Sequence, residues 1–274
     1  MSRVLFVAEG VTLAHVGRPI LLASAMAARG HEVILAAPGR YRRWAPVGVK
    51  WRNLKGQSPE QFHARLSSGR RLYSQAQLKG YIADDLNLFG KVQVDAVFGD
   101  FRLSLAASAR AAGVPYGASA NAYWSPQRRL RPPAPALDFA RKSLFRAAWP
   151  LALRWHAGAV GEVLRPFGVD IQNSLQRAYT EADLTLYADP AGPYPDVAPS
   201  EREMFLGPIA WAPDVALPDW WDALPAGPVA YLSMGSSGEA KATRMIAEAL
   251  AAEGFVVMTA TAGRGGIGRA ACRG

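Results

Sequence analysis

The stretch "RVLFVAEGVTLAHVGRPILLASAMAARGHEVILAAP", residues 3–38 of this 274-residue chain, decides the fold class. It begins with a short apolar run that ends in glycine, which is typical of a buried strand. A helix is predicted next, since Pro19 suits the first turn of a helix and Gly30 suits its C-terminal cap. The run "EVILAAP" is then a second strand. A strand, a helix and a strand in such a short stretch predict a right-handed βαβ unit and a parallel sheet.

The same alternation of strand and helix patterns continues to residue 210. Further strands are predicted for the short apolar runs "GVKWRNL", "VDAVFGD", "VPYGASANA", "TEADLTLYADP" and "EMFLGPIAW". Helices are predicted from Pro59 to Lys91 and over "RLSLAASARAAG". We therefore expect residues 1–210 to form a Rossmann-like α/β domain with a doubly wound parallel sheet.

A long segment between the fifth and sixth strands predicts two basic amphipathic helices, broken near Pro150. The basic residues of these helices are Arg141, Lys142, Arg146 and Arg154. Their apolar residues predict a single stripe that consists of Leu144, Phe145, Trp149, Leu153 and Trp155. Two roles are open for such helices: packing over a pocket beside the segment "NAYWSP", or contact with an anionic bilayer.

A Pro/Trp-rich stretch, residues 211–227, has no hydrophobic period and is interpreted as a linker. The run "VAYLSMGSSG" then predicts a strand that enters a glycine-serine turn ahead of a helix. Residues 228–262 are thus interpreted as the first βαβ unit of an incomplete second domain. Residues 263–274 are rich in Gly, Ala and Arg, and two interpretations are open: an out-of-frame tail or a flexible native tail.

The charge and the cysteine content exclude several classes of function. The formal net charge is +9, but the basic residues are scattered and no nucleic-acid-binding signature occurs, so we expect no nucleic-acid partner. The single cysteine, Cys272, excludes an internal disulfide and Cys-based metal sites, and the histidines lack ligand spacing. The sequence predicts no metal site, no signal peptide and no transmembrane span, and hence a cytoplasmic location.

Two titratable residues follow strands of the predicted sheet. His15 lies in the loop after the first strand, ahead of Pro19, and Asp100 ends the fourth strand in "VFGDFRLS". Both fall at the carboxyl edge of the sheet, where doubly wound domains bind ligands. A carboxylate behind a histidine orients the ring and stabilises its protonated form, so the pair is a candidate general base. A surface histidine and a helix-capping aspartate are the alternative interpretation.

The turn "MGSSG" is a second candidate site, because a strand, a tight turn and a helix start direct free N–H groups at one point. Gly235, Ser236 and Ser237 form this candidate anion site, with Ser237 as a simple helix cap as the alternative. The chain lacks GxxxxGK[ST], and it lacks GxGxxG after its first strand. These absences disfavour a P-loop nucleotidase and a nicotinamide dehydrogenase.

The segment "NAYWSP" brings Asn121, Tyr123 and Trp124 to the same edge of the sheet, after the fifth strand. Aromatic side chains at such an edge can form the wall of a pocket for an apolar molecule. These three residues are therefore candidate binding residues, and ordinary core packing is the alternative.

These pieces, in this order, resemble family 1 glycosyltransferases of the GT-B fold, which include macrolide and flavonoid glycosyltransferases. The resemblance rests on "VLFVAEGVTLAHVGRPILLASAMAARGHEVILAAP", "VDAVFGDFRLSLAASARAAGVPY", "FLGPIAW" and "GPVAYLSMGSSG". It implies that His15 deprotonates an acceptor hydroxyl, with Asp100 as its partner, and that the acceptor attacks the anomeric carbon of a nucleotide sugar. It also implies that the loop of Gly235, Ser236 and Ser237 lies near the diphosphate.

The resemblance implies the co-substrates as well. A nucleotide sugar is the donor, and a small, hydroxylated, apolar molecule is the acceptor, placed at Asn121, Tyr123 and Trp124. No other cofactor is expected. Peripheral contact with a membrane through the basic helices near Pro150 is a further hypothesis.

Two departures from the family pattern concern activity. Pro19 lies one residue further from His15 than in many members, and the chain has no His-x-Gly-Gly segment with a downstream acidic/Gln pair for the nucleotide sugar. We therefore expect a truncated donor domain and a chain with weak activity or none. The alternatives are a non-catalytic acceptor- or partner-binding domain, functionally a pseudoenzyme, and a related α/β nucleotide-sugar epimerase.

Overall fold

Seven strands form one parallel sheet in the computed structural model, which describes residues 1–130, 139–235 and 240–260. The strands are β1 (Arg3–Ala8), β2 (Glu32–Ala37), β3 (Lys50–Asn53), β4 (Ala96–Asp100), β5 (Tyr116–Ala120), β6 (Leu184–Tyr187) and β7 (Glu203–Phe205). Their order is β3-β2-β1-β4-β5-β6-β7. The order reverses between β1 and β4, which is the switch point where doubly wound sheets bind ligands. The predicted fold class is confirmed.

Helices cover both faces of this sheet. They are α1 (Ala14–Ala28), α2 (Pro59–Ser67), α3 (Gln75–Val92), α4 (Leu105–Ala112), α5 (Phe139–Leu164) and α6 (Leu175–Thr180). Leu5 and Val7 of β1 pack in one cluster with residues of α3 and α4, while Val4 and Phe6 pack in another with α1. Successive strand residues point to opposite faces, so a strand that is covered on both sides is apolar throughout.

Helix α1 begins at Ala14, so His15 lies in the first turn of the helix. The sequence-based prediction that His15 lies in a loop before the helix is therefore wrong. The backbone N–H groups of the next two residues bond to the Leu13 carbonyl oxygen at 3.1 and 2.8 Å, which closes this turn ahead of Pro19. Pro19 is therefore inside the helix, where its missing N–H removes one backbone hydrogen bond. Gly30 has φ +84° just after the helix, as expected for a C-terminal cap residue.

Helix α5 runs without interruption from Phe139 to Leu164, so the break predicted near Pro150 is wrong. A proline removes one backbone hydrogen bond and bends a helix, but packing of the helical residues that follow the proline can keep the helix continuous. That packing comes from the second half of α5, which joins a core cluster with α3 and α6. The residues that it contributes to this cluster are Ala157, Val160, Val163 and Leu164.

The apolar stripe predicted for this helix also divides between two faces. The inward face contains half-buried side chains, which are Phe145, Trp149 and Leu153. The outward face of α5 consists of Leu144, Leu151 and Trp155, which are 71%, 66% and 47% exposed. Each residue turns the helix by about 100°, so residues three or four apart share a face and direct neighbours do not.

The chain forms two units, Met1–Ala212 and a second unit that begins at Pro213. The described part of the second unit contains two parallel strands with a helix between them in sequence, β8 (Val229–Ser233), α7 (Ala240–Ala252) and β9 (Val256–Ala260). A βαβ unit of this kind is what the sequence predicts here. Ser236, Ser237 and the tail 263–274 lie outside the described residues.

Candidate active site

The carboxyl ends of β1 and β4 lie side by side, with Ala8 opposite Asp100, and they bring two titratable side chains together. Nδ1 of His15 lies 2.6 Å from Oδ1 of Asp100. Asp100 is fully buried, whereas the side chain of His15 is 20% exposed. The hydrogen bond expected from the sequence is therefore present, and the pair has one buried member and one that a ligand can reach.

Both oxygens of the Asp100 carboxylate have further partners. Ser119 of β5, which faces Asp100 in the sheet register, donates from Oγ to Oδ2. Arg18 of α1 donates from Nη2 to Oδ1 at 3.2 Å, and its Nε lies 2.9 Å from Oδ2. The Nε contact is an ion pair without an aligned hydrogen bond. Burying an ionised carboxylate without such partners costs several kcal/mol, and these contacts offset that cost for Asp100.

Arg18 also links the pair to the end of β5. Its Nη2 lies 3.0 Å from Nδ1 of His15, and its Nη1 donates to Oδ1 of Asn121 at 3.3 Å. Asn121 donates from Nδ2 to both oxygens of Asp189 at 3.3 Å, and the backbone N–H of Ala122 donates to the same carboxylate at 2.6 Å. The side-chain amide of Asn121, predicted to bind an acceptor, thus has partners within the protein at both its oxygen and its nitrogen.

A cavity of about 380 Å³ opens beside Arg18 and Asn121, with Leu13, Ile209 and Trp211 among its other lining residues. Helix α1 approaches Trp211 so closely that a Cβ at position 17 would lie 2.4 Å from the indole ring. Only glycine fits at that position without a shift of the indole. The cavity therefore has a polar side at the guanidinium and the amide, and an apolar side at the tryptophan.

Phe101 follows Asp100 with φ +60°, a left-handed conformation that costs a non-glycine residue about 1–2 kcal/mol. The side chains on either side of it, Asp100 and Arg102, are buried and held by ion pairs, which fixes the backbone between them. Its ring stacks on the imidazole of His15 with centroids 4.3 Å apart, and on the ring of Tyr179 at 4.9 Å. The strained residue thus supports one face of the histidine ring.

Aromatic side chains continue from this stack and form a wall. Phe62 meets Phe101 edge-on at 5.7 Å, and the ring of Trp124 lies 4.5 Å from that of Tyr179. Tyr123 contacts Trp124 edge-on at 5.5 Å and is 41% exposed. Trp124 and Tyr123, predicted from the sequence as acceptor-binding residues, therefore lie on the wall that begins at His15, with Tyr123 at its exposed end.

One polar atom in this aromatic group lacks a hydrogen-bond partner among the described residues. It is the hydroxyl of Tyr73, a side chain that is 3% exposed and lies 6.4 Å from Phe101 between ring centroids. Burial, followed by the nearby charge of Glu9, raises the pKa of Tyr73 well above its usual value. The phenol is therefore neutral at physiological pH and able to donate a hydrogen bond.

A second ion-pair group, here termed the buried cluster, consists of Glu9, Asp85 and Arg102. Arg102 donates from Nη1 to Oε2 of Glu9 at 3.0 Å and from Nη2 to Oδ1 of Asp85 at 2.9 Å. All three side chains are at most 1% exposed. The remaining carboxylate oxygens accept from the backbone N–H of Gln57 and from Ser104 and Ser108. The buried cluster thus connects Arg102, the residue after Phe101, with the end of β1, the loop after β3 and helix α3.

Burial and ion pairing act in opposite directions on the pKa values of the buried cluster. Burial raises the pKa of Glu9 and the pKa of Asp85, although the charge of Arg102 opposes both shifts. Burial alone would lower the pKa of Arg102, but the carboxylates of Asp85 and Glu9 raise it overall. The arginine therefore stays charged, and it is the group that allows two carboxylates to share one dry site.

The predicted donor-binding loop is described only at its first residue. Gly235 has φ +63°, a conformation that favours glycine, while Ser236 and Ser237 lie outside the described residues. Within the described ranges, no three His, Cys, Asp or Glu side chains come together in a group that could hold a metal ion. None of the helices in those ranges is long and apolar enough to cross a membrane.

Several residues of the site are absent from the sequence-based prediction. Arg18 lies three positions after His15, a spacing that puts both on one side of a helix, but the prediction places His15 in a loop. Ser119 has no local signal, because only the pairing of β4 with β5 sets it opposite Asp100. Phe101 carries no sequence signal for a left-handed backbone, since position 101 is neither the Gly nor the Asn that would suggest one.

The doubly wound parallel sheet matches the Rossmann-like fold of GT-B glycosyltransferase structures. No family model matches the sequence. A PGL/p-HBAD biosynthesis glycosyltransferase of Mycobacterium tuberculosis (strain H37Ra) is 37% identical over 273 residues, which are 96% of this chain and 64% of that protein. An inactive PGL/p-HBAD biosynthesis glycosyltransferase of Mycobacterium bovis (strain BCG) is 36% identical over 259 residues, 91% of this chain and 71% of that protein.

Among solved structures, the Streptomyces sp. SF2575 glycosyltransferase SsfS6, complexed with thymidine diphosphate, is similar at a TM-score of 0.56 and 17% identity. That match covers 95% of this chain and 68% of the SsfS6 chain. The chain belongs to the family 1 glycosyltransferases of the GT-B fold. It spans 64% of the length of the first of these relatives.

Proposed function

We propose that this chain supplies the general base and the acceptor site for transfer of a sugar from a nucleotide sugar to a hydroxyl of a small, apolar acceptor. The observation that carries the proposal is the 2.6 Å contact between His15 and the buried carboxylate of Asp100, at the switch point of the sheet. Membership of a glycosyltransferase family supports the same reaction class.

The His15–Asp100 pair can take a proton from an acceptor hydroxyl. An ionised carboxylate has no proton to donate, so His15 donates from Nδ1 to Asp100 and leaves Nε2 as the proton acceptor. An acceptor hydroxyl at about 3 Å from Nε2 gives up its proton while its oxygen bonds to the anomeric carbon of the donor. The bond from that carbon to the nucleoside diphosphate breaks, and the diphosphate leaves with the electron pair. Asp100 stabilises the imidazolium that forms.

The aromatic wall supports an apolar acceptor. Phe101 and Phe62 present ring surface beside His15, and Trp124 with Tyr123 extends that surface outward. Apolar walls with few polar groups are typical of small-molecule sites. The unpartnered hydroxyl of Tyr73 is a candidate hydrogen-bond donor to the acceptor.

We propose that the donor diphosphate binds at the loop that begins at Gly235. This loop follows β8 and precedes α7, and free N–H groups at the start of a helix favour an anion. The thymidine diphosphate in the SsfS6 complex shows that a protein of similar fold holds a nucleoside diphosphate.

Peripheral contact with an anionic bilayer is proposed for the outward face of α5. Leu144, Leu151 and Trp155 are exposed on that face, and the guanidinium of Arg71 lies 4.9 Å from the Trp155 ring. No acidic residue occurs from Phe139 to Gly161, whereas four basic residues do. An exposed apolar stripe with cations around it is the pattern of helices that rest in a membrane interface.

Co-sedimentation with vesicles tests this contact. The chain is expected to bind vesicles that contain phosphatidylserine at low salt, and Leu151→Asp should weaken that binding strongly. Leu217→Asp, at an exposed leucine of the second unit, serves as the control. Equal binding of neutral and anionic vesicles, or equal binding by both variants, would rule out this face.

Sugar transfer is tested with uridine and thymidine diphosphate sugars and a panel of apolar alcohols and phenols, with product detected by mass spectrometry. The longest chain that the gene encodes is used, since this one spans 64% of a relative. His15→Ala is expected to lower the rate by about 10²–10⁴-fold, the usual contribution of a general base. His31→Ala is the matched control, because His31 precedes β2 at the opposite edge of the sheet.

The outcomes separate the candidate functions. Product that depends on His15 but not on His31 supports the proposal. An unchanged rate for His15→Ala would remove this residue from the mechanism. Saturable acceptor binding with no transfer by any chain would favour the non-catalytic binding domain.

A further inference from the structure

We infer that Arg18 controls whether His15 can act as a base: its guanidinium balances the charge of Asp100, so the imidazole need not carry a proton. This inference rests on the proposed role of the His15–Asp100 pair, and it assigns a positioning and charge-balancing role to a third residue. Arg18 does not touch the reacting atoms in this arrangement. It acts through His15, which accepts the proton, and through Asp100, which stabilises the imidazolium that forms.

Asp100 is fully buried, and a buried carboxylate draws a compensating positive charge from any neighbour that can supply it. With His15 as its sole partner, Asp100 would favour the imidazolium form, which has no lone pair for an acceptor proton. Arg18 is permanently charged and contacts both carboxylate oxygens, so the group is neutral without a proton on the histidine.

The position of the guanidinium strengthens this effect. Nη2 of Arg18 lies 3.0 Å from Nδ1 of His15, the nitrogen that faces Asp100. Protonation of His15 would therefore place a second positive charge beside the first, in a site where the arginine is only 8% exposed. Like charges in contact disfavour the ionised form of the group that titrates.

No other charged side chain has a described contact with His15. Phe101, which stacks on its ring, and Ser119, which donates to Asp100, carry no charge. Asp189 is reached from Arg18 only through Asn121, and the carboxylates of the buried cluster pair with Arg102. Among the described contacts, the electrostatic environment of His15 is thus set by one anion, Asp100, and one cation, Arg18.

A titration of the histidine rings by ¹⁵N NMR tests the inference without any substrate. The signal of His15, assigned with His15→Gln, is followed from pH 5 to 9 in the wild type, Arg18→Met and Arg18→Lys. We expect Arg18→Met to raise the titration midpoint by about one pH unit or more, a tenfold gain in proton affinity. Arg18→Lys should restore most of the wild-type midpoint, because it restores the charge.

Arg29→Met is the matched control. Arg29 follows the last residue of the same helix and is exposed, and among the described contacts its side chain bonds only to the carbonyl oxygen of Ala25. Its replacement removes the same charge at the other end of α1 and should leave the midpoint unchanged. A midpoint for Arg18→Met that equals that of Arg29→Met would overturn the inference.

A second pair of variants covers the case in which Arg18→Met does not fold, because it leaves Asp100 buried without its cation. Asp100→Asn and the double variant Arg18→Met/Asp100→Asn both lack the lone buried anion. The double variant should titrate at higher pH than Asp100→Asn, since only the latter keeps a cation beside Nδ1. Equal midpoints would contradict the inference.

The kinetic readout distinguishes this inference from the proposed function. In a chain that transfers sugar, Arg18→Met should shift the acid limb of the rate profile to higher pH by the same amount as the NMR midpoint. If no chain transfers sugar, the proposed function fails, while the NMR midpoints still decide the role of Arg18.

Discussion

Two groups of charged side chains lie along the same edge of the sheet, and they differ in how completely the protein encloses them. In the buried cluster, Glu9, Asp85 and Arg102 are at most 1% exposed, and each charge has its partners inside the fold. In the other group, Asp100 is equally buried, but His15 is 20% exposed. The first group can stabilise the edge but cannot exchange a proton with a ligand, whereas the second can do both.

Phe101 joins these two groups. Its neighbours in sequence are Asp100 in the open group and Arg102 in the buried cluster, and its ring stacks on His15. The enclosed group therefore fixes the backbone from which the ring supports the histidine. We therefore propose separate roles for the two groups, architecture for the enclosed one and chemistry for the open one, and three experiments can challenge that division.

The largest expected effect is on stability, from loss of the cation in the buried cluster. Arg102→Met leaves Glu9 and Asp85 in a dry site without their partner, which should lower the free energy of unfolding by about 3–5 kcal/mol. Urea unfolding followed by circular dichroism measures this change. Arg110→Met is the control: its side chain is 52% exposed and 3.9 Å from Glu181, so we expect a change of at most about 1 kcal/mol.

Equal urea midpoints for Arg102→Met and Arg110→Met would show that the enclosed group has no architectural role. A folded Arg102→Met protein whose transfer rate alone is reduced would assign chemistry to both groups.

A smaller effect is expected in the pH dependence of stability. Burial raises the pKa of Glu9 above its usual 4.5. Between pH 4.5 and the raised pKa, the folded chain therefore holds a proton that the unfolded chain releases. The contribution of this group to stability is therefore greatest below pH 4.5 and falls as pH rises toward the raised value. Glu9→Gln removes this titration.

We accordingly expect the free energy of unfolding of the wild type, minus that of Glu9→Gln, to decrease as pH rises above 4.5. Urea unfolding at a series of pH values between 4 and 8, chosen to span about three units above the usual carboxyl range, measures this difference. A difference that stays constant or increases with pH would contradict a carboxylate that is destabilised by burial.

The smallest expected effect concerns the backbone of Phe101, the link between the groups. Both Phe101→Gly and Phe101→Ala remove the ring, but only glycine adopts a positive φ without strain. We expect the glycine variant to be more stable than the alanine variant by about 1 kcal/mol in urea unfolding. At Tyr123, whose φ is not positive, the order should be reversed. An alanine variant at position 101 that is as stable as the glycine variant would show that Phe101 is unstrained.

Much of the fold was accessible from the sequence, because strand and helix patterns are local. The runs around β1 and β2 and the cap at Gly30 each carry their own signal. The His15–Asp100 contact could be predicted too, since it needs only the rule that adjacent parallel strands end at the same edge. The break at Pro150 was wrong, because the packing that keeps α5 continuous comes from residues distant in sequence.

The rest of the site depends on pairings that no local pattern records. Arg102 meets Glu9 across 93 positions of sequence, and Arg18 meets Asp100 across 82. Arginines are frequent in this chain, so composition did not distinguish these two from those on the surface. Burial distinguishes Arg18 and Arg102 from the surface arginines, and burial can be known only from the folded sheet edge.

The separation of His15 and Asp100 by 85 positions has a consequence for the order in which the molecule assembles. Contacts between distant positions form late in folding, because the entropy of closing a long loop must be overcome first. The pair exists only once β1 has docked beside β4 at the centre of the sheet. During refolding, or during synthesis on a ribosome, the appearance of this hydrogen bond therefore marks the docking of β1 beside β4, and every earlier intermediate lacks the proposed base pair.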